Sequence, residues 1–314
     1  MRRRDLMWLA GLAGPGLCLS LPVLAAEREL RIGIQKYGSL VLLKERGLLE
    51  QRLSPQGWSV TWTEFPGGPQ LLEALNVGAI DFGTTGEAPP IFAQAAEAPL
   101  LYVGYEPPAP AGEAILVPKD SAITDVAGLK GRKVALNKGS NVHYLLVKAL
   151  EAAGVAYGEI EPVFLPPADA RAAFERGSVD AWVIWDPFLA AAQAATGART
   201  LADGTGLVKN HQFYLASQSF AAAEPAIVQA IIADLVEIDR WAGASTDEVA
   251  TLLAPRMGIP APVLATALER MGYGVQPLDE AVVAEQQRIA DTFHHLGLLP
   301  KPITVKDVVW KASA

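Results

Sequence analysis

Two segments of this chain, 99 residues apart, repeat one local design: Leu75-Asn76-Val77-Gly78-Ala79-Ile80-Asp81-Phe82 and Phe174-Glu175-Arg176-Gly177-Ser178-Val179-Asp180-Ala181. Each reads as a helix that stops at a glycine, followed by a buried strand entered through Ile-Asp or Val-Asp. Polar Gly83-Thr84-Thr85-Gly86-Glu87 follows the first, and aromatic Trp182-Val183-Ile184-Trp185-Asp186-Pro187 follows the second. Both continuations fall where the C-terminal ends of sheet strands belong, and open α/β sheets bind ligands at those ends. The repeat therefore points to two similar lobes with a ligand clamped between them. Shared helix-to-strand turn chemistry, without larger kinship between the halves, is the plainer alternative.

The rest of the chain alternates in the same way. Residues 30–35, 60–65, 79–83 and 100–103 read as strands, separated by helical patterns over 40–53 with Gly47 inside, over 70–77, and from a proline-rich start at 87–90. The stretch Glu106-Pro107-Pro108-Ala109-Pro110-Ala111-Gly112 marks a boundary, because its proline density excludes regular structure. A second block follows, with strands at 114–118, 133–136, 162–165 and 180–184 and helices near 125–129 and over 142–153, 168–176 and 187–195. Such alternation predicts a mostly parallel sheet covered on both faces. After a strand at 211–216 the chain reads as helix alone, over 225–242, 246–254, 261–271 and 278–296. Four helices without a sheet do not make a third domain of this kind, so they are expected to cover the first lobe. Lobe I is then 27–112 with 213–314, and lobe II is 113–212. Two crossings, near 112 and 212, form a hinge.

At 314 residues the chain exceeds what one core usually fills. Its N-terminus carries Arg2-Arg3-Arg4, an apolar run from Leu6 to Leu24, and Val23-Leu24-Ala25 at its end. This reads as an export signal cleaved near Ala25. A membrane anchor is the alternative, weakened by Pro15 and Pro22 and by the lack of a flanking charge cluster. Arg3-Arg4-Asp5-Leu6-Met7 also fits a loose twin-arginine pattern. The single cysteine, Cys18, lies inside the signal after Leu17, which is too large for lipoprotein cleavage. The mature chain is expected to carry neither disulfide nor lipid anchor. Without residues 1–26 it has 23 basic against 33 acidic side chains, about −10. That balance argues against nucleic acid or an anionic membrane as partner, so any bound anion must be caught by local donors.

Donors of that kind are concentrated at two loops. In Ala135-Leu136-Asn137-Lys138-Gly139-Ser140-Asn141-Val142-His143-Tyr144 a buried strand ends, a small polar loop turns and an amphipathic helix begins. Free amides at the positive end of a helix, with Ser140 and Asn141 beside them, suit an anion, although helix capping is the commoner use of those side chains. Thr84, Thr85, Gly86 and Glu87 are a parallel case in the first lobe, with the same capping alternative. At the second lip, strand alternation points Trp182 and Ile184 one way and Val183 and Trp185 the other. Trp185 is thus the candidate for the cleft and Trp182 for the core. Asp186 either bonds a ligand amine or caps the helix that Pro187 starts. Gln35 can donate to an anion, and Gly67-Gly68-Pro69 permits close backbone approach, while turn chemistry explains both equally well. The mature chain has no cysteine nucleophile, Gly-x-Ser-x-Gly elbow, P-loop or histidine pair at metal spacing. No catalytic residue, cofactor or metal is expected.

The runs Asn137-Lys138-Gly139-Ser140-Asn141-Val142-His143-Tyr144, Ile80-Asp81-Phe82-Gly83-Thr84-Thr85-Gly86-Glu87, Pro166-Pro167-Ala168-Asp169-Ala170-Arg171 and Ala181-Trp182-Val183-Ile184-Trp185-Asp186-Pro187 closely resemble the aliphatic sulfonate-binding proteins of bacterial ABC importers. The likeness runs from about residue 29 to 310. It implies an α/β, two-lobed type II periplasmic binding protein fold, each lobe a mostly parallel sheet flanked by helices, with a two-segment hinge and ligand binding on closure. It also implies a monomer in the periplasm that passes an alkanesulfonate to a cognate permease. Residue by residue, it places the ligand near Gln35, Gly68, Pro69, Thr84, Thr85, Gly86, Glu87, Ser140, Asn141, Trp185 and Asp186. Tyr37-Gly38-Ser39 departs from the pattern and leaves the tail preference open. Taurine, sulfate esters or nitrate are alternatives within the class, with Asp186 or Glu87 as partners for taurine's amine. An enzyme on the same scaffold is the alternative outside it.

Overall fold

The computed structural model describes residues 28–311, so the export signal expected at the N-terminus lies outside the described residues. The first sheet is fed by β1 (Arg28–Ile34), α1 (Ser39–Arg46), α2 (Leu48–Leu53), β2 (Trp58–Glu64), α3 (Gly68–Asn76), β3 (Phe82–Gly86), α4 (Ala88–Ala95) and β4 (Leu100–Tyr105). The second is fed by β5 (Glu113–Val117), β6 (Lys133–Leu136), α5 (Asn141–Ala152), β7 (Glu161–Phe164), α6 (Pro167–Glu175), β8 (Ala181–Trp185), α7 (Phe188–Thr196) and β9 (Arg199–Asp203). The chain then returns through β10 (Gln212–Ser217) to α8 (Gln218–Ala223), α9 (Pro225–Ala244), α10 (Thr246–Met257), α11 (Ala261–Leu268) and α12 (Glu280–His295).

Strand order is β2-β1-β3-β10-β4 in one sheet and β7-β6-β8-β5-β9 in the other. The fourth strand of each, β10 or β5, runs antiparallel to both neighbours. That strand is in each case the first one laid down after the chain has crossed from the other sheet. The two crossings lie side by side, joined by Glu106 N–H to Gln212 O at 2.8 Å, Ala109 N–H to Lys209 O at 3.0 Å and Gly204 N–H to Pro110 O at 3.0 Å.

The repeated sequence design occupies matching places in the two sheets. Gly78 and Gly177 take φ of 71° and 70°, a left-handed turn that other residues adopt at a cost. Ala79 N–H then bonds Ala74 O, and Ser178 N–H bonds Ala173 O, both at 2.8 Å. Asp81 accepts from Arg31 N–H at 3.0 Å on β1, and Asp180 accepts from Lys133 N–H at 2.8 Å on β6. Each aspartate thereby sits just before the central strand of its sheet and fastens it to the neighbouring parallel strand.

Three departures from the sequence expectation have physical causes. The helix expected over 40–53 breaks into α1 and α2 at Gly47, whose φ of 60° ends one helix and starts the next. The third strand of each sheet begins later than expected, at Phe82 and Ala181, because the Ile-Asp and Val-Asp steps are spent on the turn. Edge strand β9 has no alternating apolar pattern, none of its residues being buried, and was not expected.

Strand alternation sorts the core. Phe213 and Leu215 face the layer of α3, α4 and α12, whereas Tyr214 and Ala216 face α1 and α9–α11. In the second sheet Val183 faces α5, while Trp182 and Ile184 face α6 and α7. Helices α4, α5 and α12 share one continuous core, so the two sheets are joined through it. Among the described residues no helix is long and apolar enough to cross a membrane.

Candidate functional site

Between the sheets lies a cavity of about 380 Å³, a volume that suits a small organic ligand. Its wall includes seven of the residues expected from the sequence: Gln35, Gly68, Gly86, Ser140, Asn141, Trp185 and Asp186. The first three come from one lobe and the other four from the other. Aromatic and aliphatic surface from Phe65, Pro89, Trp185, Phe188 and Met271 fills much of the remaining wall.

Two helices aim their N-termini here, α3 through Gly68 and α5 through Ser140 and Asn141. The Ser140 hydroxyl does not cap α5 but donates to Asn137 O at 2.7 Å. Gly67 has no side chain with which to cap α3. First-turn amides of both helices are therefore left without a side-chain acceptor, at the positive ends of two helix dipoles. This is the chemistry that holds an anion without a cationic partner.

Asn141 is used differently. Its Oδ1 accepts from Ala88 N–H at 3.3 Å on α4, and its Nδ2 donates to Asn210 Oδ1 beside the crossing. A Cβ on Gly86 would lie 2.1 Å from this carboxamide, so only glycine lets the two lobes meet there. Gln35 reaches the wall with Nε2 bonded to Thr84 O at 3.1 Å.

Pro69, Thr84, Thr85 and Glu87 are not part of the wall. The late start of β3 places Thr84 and Thr85 inside a paired, fully buried strand, where Thr84 Oγ1 donates to Phe213 O and Thr85 Oγ1 to Gly86 O. Pro69 turns to a separate groove between α3 and Phe164. Glu87 is buried under the crossing and accepts from His211 N–H at 3.0 Å. Burial pushes its carboxyl up to about 8, against the pull of the His211 and Asn210 amides, so burial favours the protonated form. It does not line the cavity and so does not meet a ligand ammonium there.

Asp186 does reach the cavity and also caps: its Oδ1 accepts from Ala190 N–H at 3.0 Å in α7. Its Oδ2 lies 3.2 Å from Nη1 of Arg270, which follows α11. Burial raises the Asp186 carboxyl to about 6, and Arg270 and the Ala190 amide draw it back. Arg270 was invisible to the strand-end reasoning, because it lies past the end of a helix far along the chain. The one available signal is its place among Glu269-Arg270-Met271-Gly272, a charged pair followed by a turn residue at a helix end. Glu106 also lines the cavity, but burial and the nearby Asp239 push it up to about 8, with Tyr214 and Ser39 donating to it.

The NMT1-like family profile matches residues 27–254. The chain belongs to that family. A putative aliphatic sulfonates-binding protein of Escherichia coli K12, a member of the curated set of relatives, is 47% identical over 318 residues, covering 100% of this chain and 98% of that protein. Among solved structures, the alkanesulfonate-binding protein SsuA from Xanthomonas axonopodis pv. citri bound to MOPS is 47% identical with a TM-score of 0.88, over 92% of this chain and 100% of that one. The periplasmic aliphatic sulphonate binding protein SsuA from Escherichia coli gives a TM-score of 0.82 at 47% identity, over 91% and 93% of the two chains. The two mixed sheets, each with a parallel core, match these periplasmic binding protein structures. Each of these solved relatives is a sulfonate-binding protein.

Proposed function

We propose that this chain is the exported binding component of an ABC importer, capturing aliphatic sulfonates and delivering them to an inner-membrane permease as a sulfur source. The observation that carries the reading is the full-length identity to aliphatic sulfonate-binding proteins. The cavity supports it independently, since uncapped amides of α3 and α5 stand beside an apolar wall. A sulfonate stays ionised at any physiological pH and needs no proton-transfer partner. Charge-assisted hydrogen bonds contribute ~1.5–3 kcal/mol each, and a micromolar site requires ~8 kcal/mol net. Four or five donors with an apolar contact are sufficient after ordering costs.

In this reading the sulfonate oxygens lie against Gly68, Ser140 and Asn141, with Gln35 and Gly86 shaping the same end. The alkyl tail lies along Trp185. The mature protein acts as a monomer in the periplasm after cleavage near Ala25. Taurine is disfavoured because neither Asp186 nor Glu87 is free to hold its amine. Nitrate leaves the apolar wall without a purpose. Deleting the gene in a strain without another sulfonate importer tests the role. Growth is expected to fail on an alkanesulfonate as sole sulfur source and to persist on sulfate; undiminished growth on the sulfonate contradicts it.

A further inference from the structure

Behind the cavity wall, two buried carboxamide atoms stand without hydrogen-bond partners: Nδ2 of Asn137, a donor, and Oε1 of Gln70, an acceptor. Asn137 is 7% exposed and belongs to the turn between β6 and α5, whereas Gln70 belongs to the first turn of α3. The two come from opposite sheets, yet they meet at one place. A Cβ on Gly67 would lie 2.8 Å from Asn137 Nδ2, 3.2 Å from Gln70 Oε1 and 3.7 Å from Cη2 of Trp185. Neither carboxamide lines the cavity; both line the groove behind it, between α3 and Phe164.

Each residue is also fixed to a helix start that does line the cavity. Asn137 O accepts from Ser140 Oγ at 2.7 Å and from Ser140 N–H at 3.4 Å, immediately before α5. Gln70 lies two residues after Gly68, where α3 begins. A bond between the carboxamides thus ties the first turn of one helix to the approach of the other. A buried amide without a partner carries a desolvation penalty, which pairing with its complement removes. The terminal torsions of Asn and Gln are soft, so donor and acceptor can turn toward each other at little cost. With the lobes apart each is hydrated instead, and the bond favours the closed arrangement alone.

We infer that Asn137 and Gln70 are positioning residues for the ligand: their carboxamides bond across the lobes on closure and set the spacing of the α3 and α5 N-termini that hold the anion. The inference rests on the sulfonate-binding reading above and adds to it a closing contact that the ligand does not touch.

Calorimetric titration with 1-propanesulfonate tests it, comparing the mature chain with Asn137→Leu, Gln70→Met and the double variant, near-isosteric changes that delete the amides. Each single change leaves the opposite amide buried and unpaired on closure, and is expected to weaken binding about fivefold. The double variant removes both amides together and is expected to bind more tightly than either single one. The denaturant midpoint of the ligand-free protein is expected to stay the same throughout, because the open form hydrates both groups. Asn137→Ala takes the place of Asn137→Leu if that variant does not fold. Unchanged affinity in either single variant overturns the inference alone. So does a double variant weakened by the product of the two single factors, or a ligand-free midpoint that falls in step with affinity, which would mark a role in folding. Failure of the unaltered protein to bind any sulfonate overturns the functional reading together with this one.

Discussion

Glu87 shows how a residue can sit in the most suggestive motif of a chain and serve the fold instead. Its carboxyl lies under the crossing segments, accepts from His211 N–H, and is pushed up to about 8 because burial disfavours its charge. Glu106, on the other side of His211, is raised to the same value for the same reason, with Asp239 adding to it. Both ordinary values are 4.5, so the unfolded chain releases these protons well before the folded chain does. Stability from these groups is fully present below about 4.5 and is lost as pH rises through about 8, at up to ~1.4 kcal/mol per pH unit for each. Glu87→Gln is expected to flatten the dependence of unfolding free energy on pH across that window by about one proton. Denaturant titrations at several pH values check this, and an unchanged slope would mean that Glu87 is ionised in the folded protein.

At the scale of elements, α12 does more than cover a sheet. Phe293, fully buried near its end, packs on Phe92 of α4 at 4.9 Å and on His143 and Tyr144 of α5 at 5.5 and 5.7 Å between ring centroids. One side chain thus ties helices of both sheets. Phe293→Ala is expected to cost ~3–5 kcal/mol, read as a lower denaturant midpoint; a loss below ~1 kcal/mol would show that the lobes do not depend on this contact.

Elements also show what the sequence reveals. The repeated helix-Gly-strand design is legible because glycine turns and aspartate fasteners are local chemistry, and it falls on equivalent strands β3 and β8. The alternation that separates Trp182 from Trp185 is equally local. The exact start of β3 was not legible, because whether Ile80-Asp81 is strand or turn depends on Arg31, fifty residues away. That shift of register is why Thr84 and Thr85 were expected in a loop and are found in a ladder. Arg270 was hidden for a similar reason, since its partner lies across the cleft and only the assembled fold brings the two together.

For the molecule as a whole, the chain crosses between sheets twice, and hydrogen bonds lace the crossings together. The same topology brings two helix N-termini and an aromatic lip to one cavity. In the proposed reading, anion capture and tail selection follow from amides on one side and apolar surface on the other. The most direct test is calorimetric titration of the mature, ligand-stripped protein with unbranched alkanesulfonates of increasing length, with sulfate and nitrate as controls. Affinity is expected to rise about fourfold per methylene until the cavity is full, that factor following from ~0.8 kcal/mol per buried CH₂. Tight binding of nitrate or sulfate with no response to any alkanesulfonate would contradict the account.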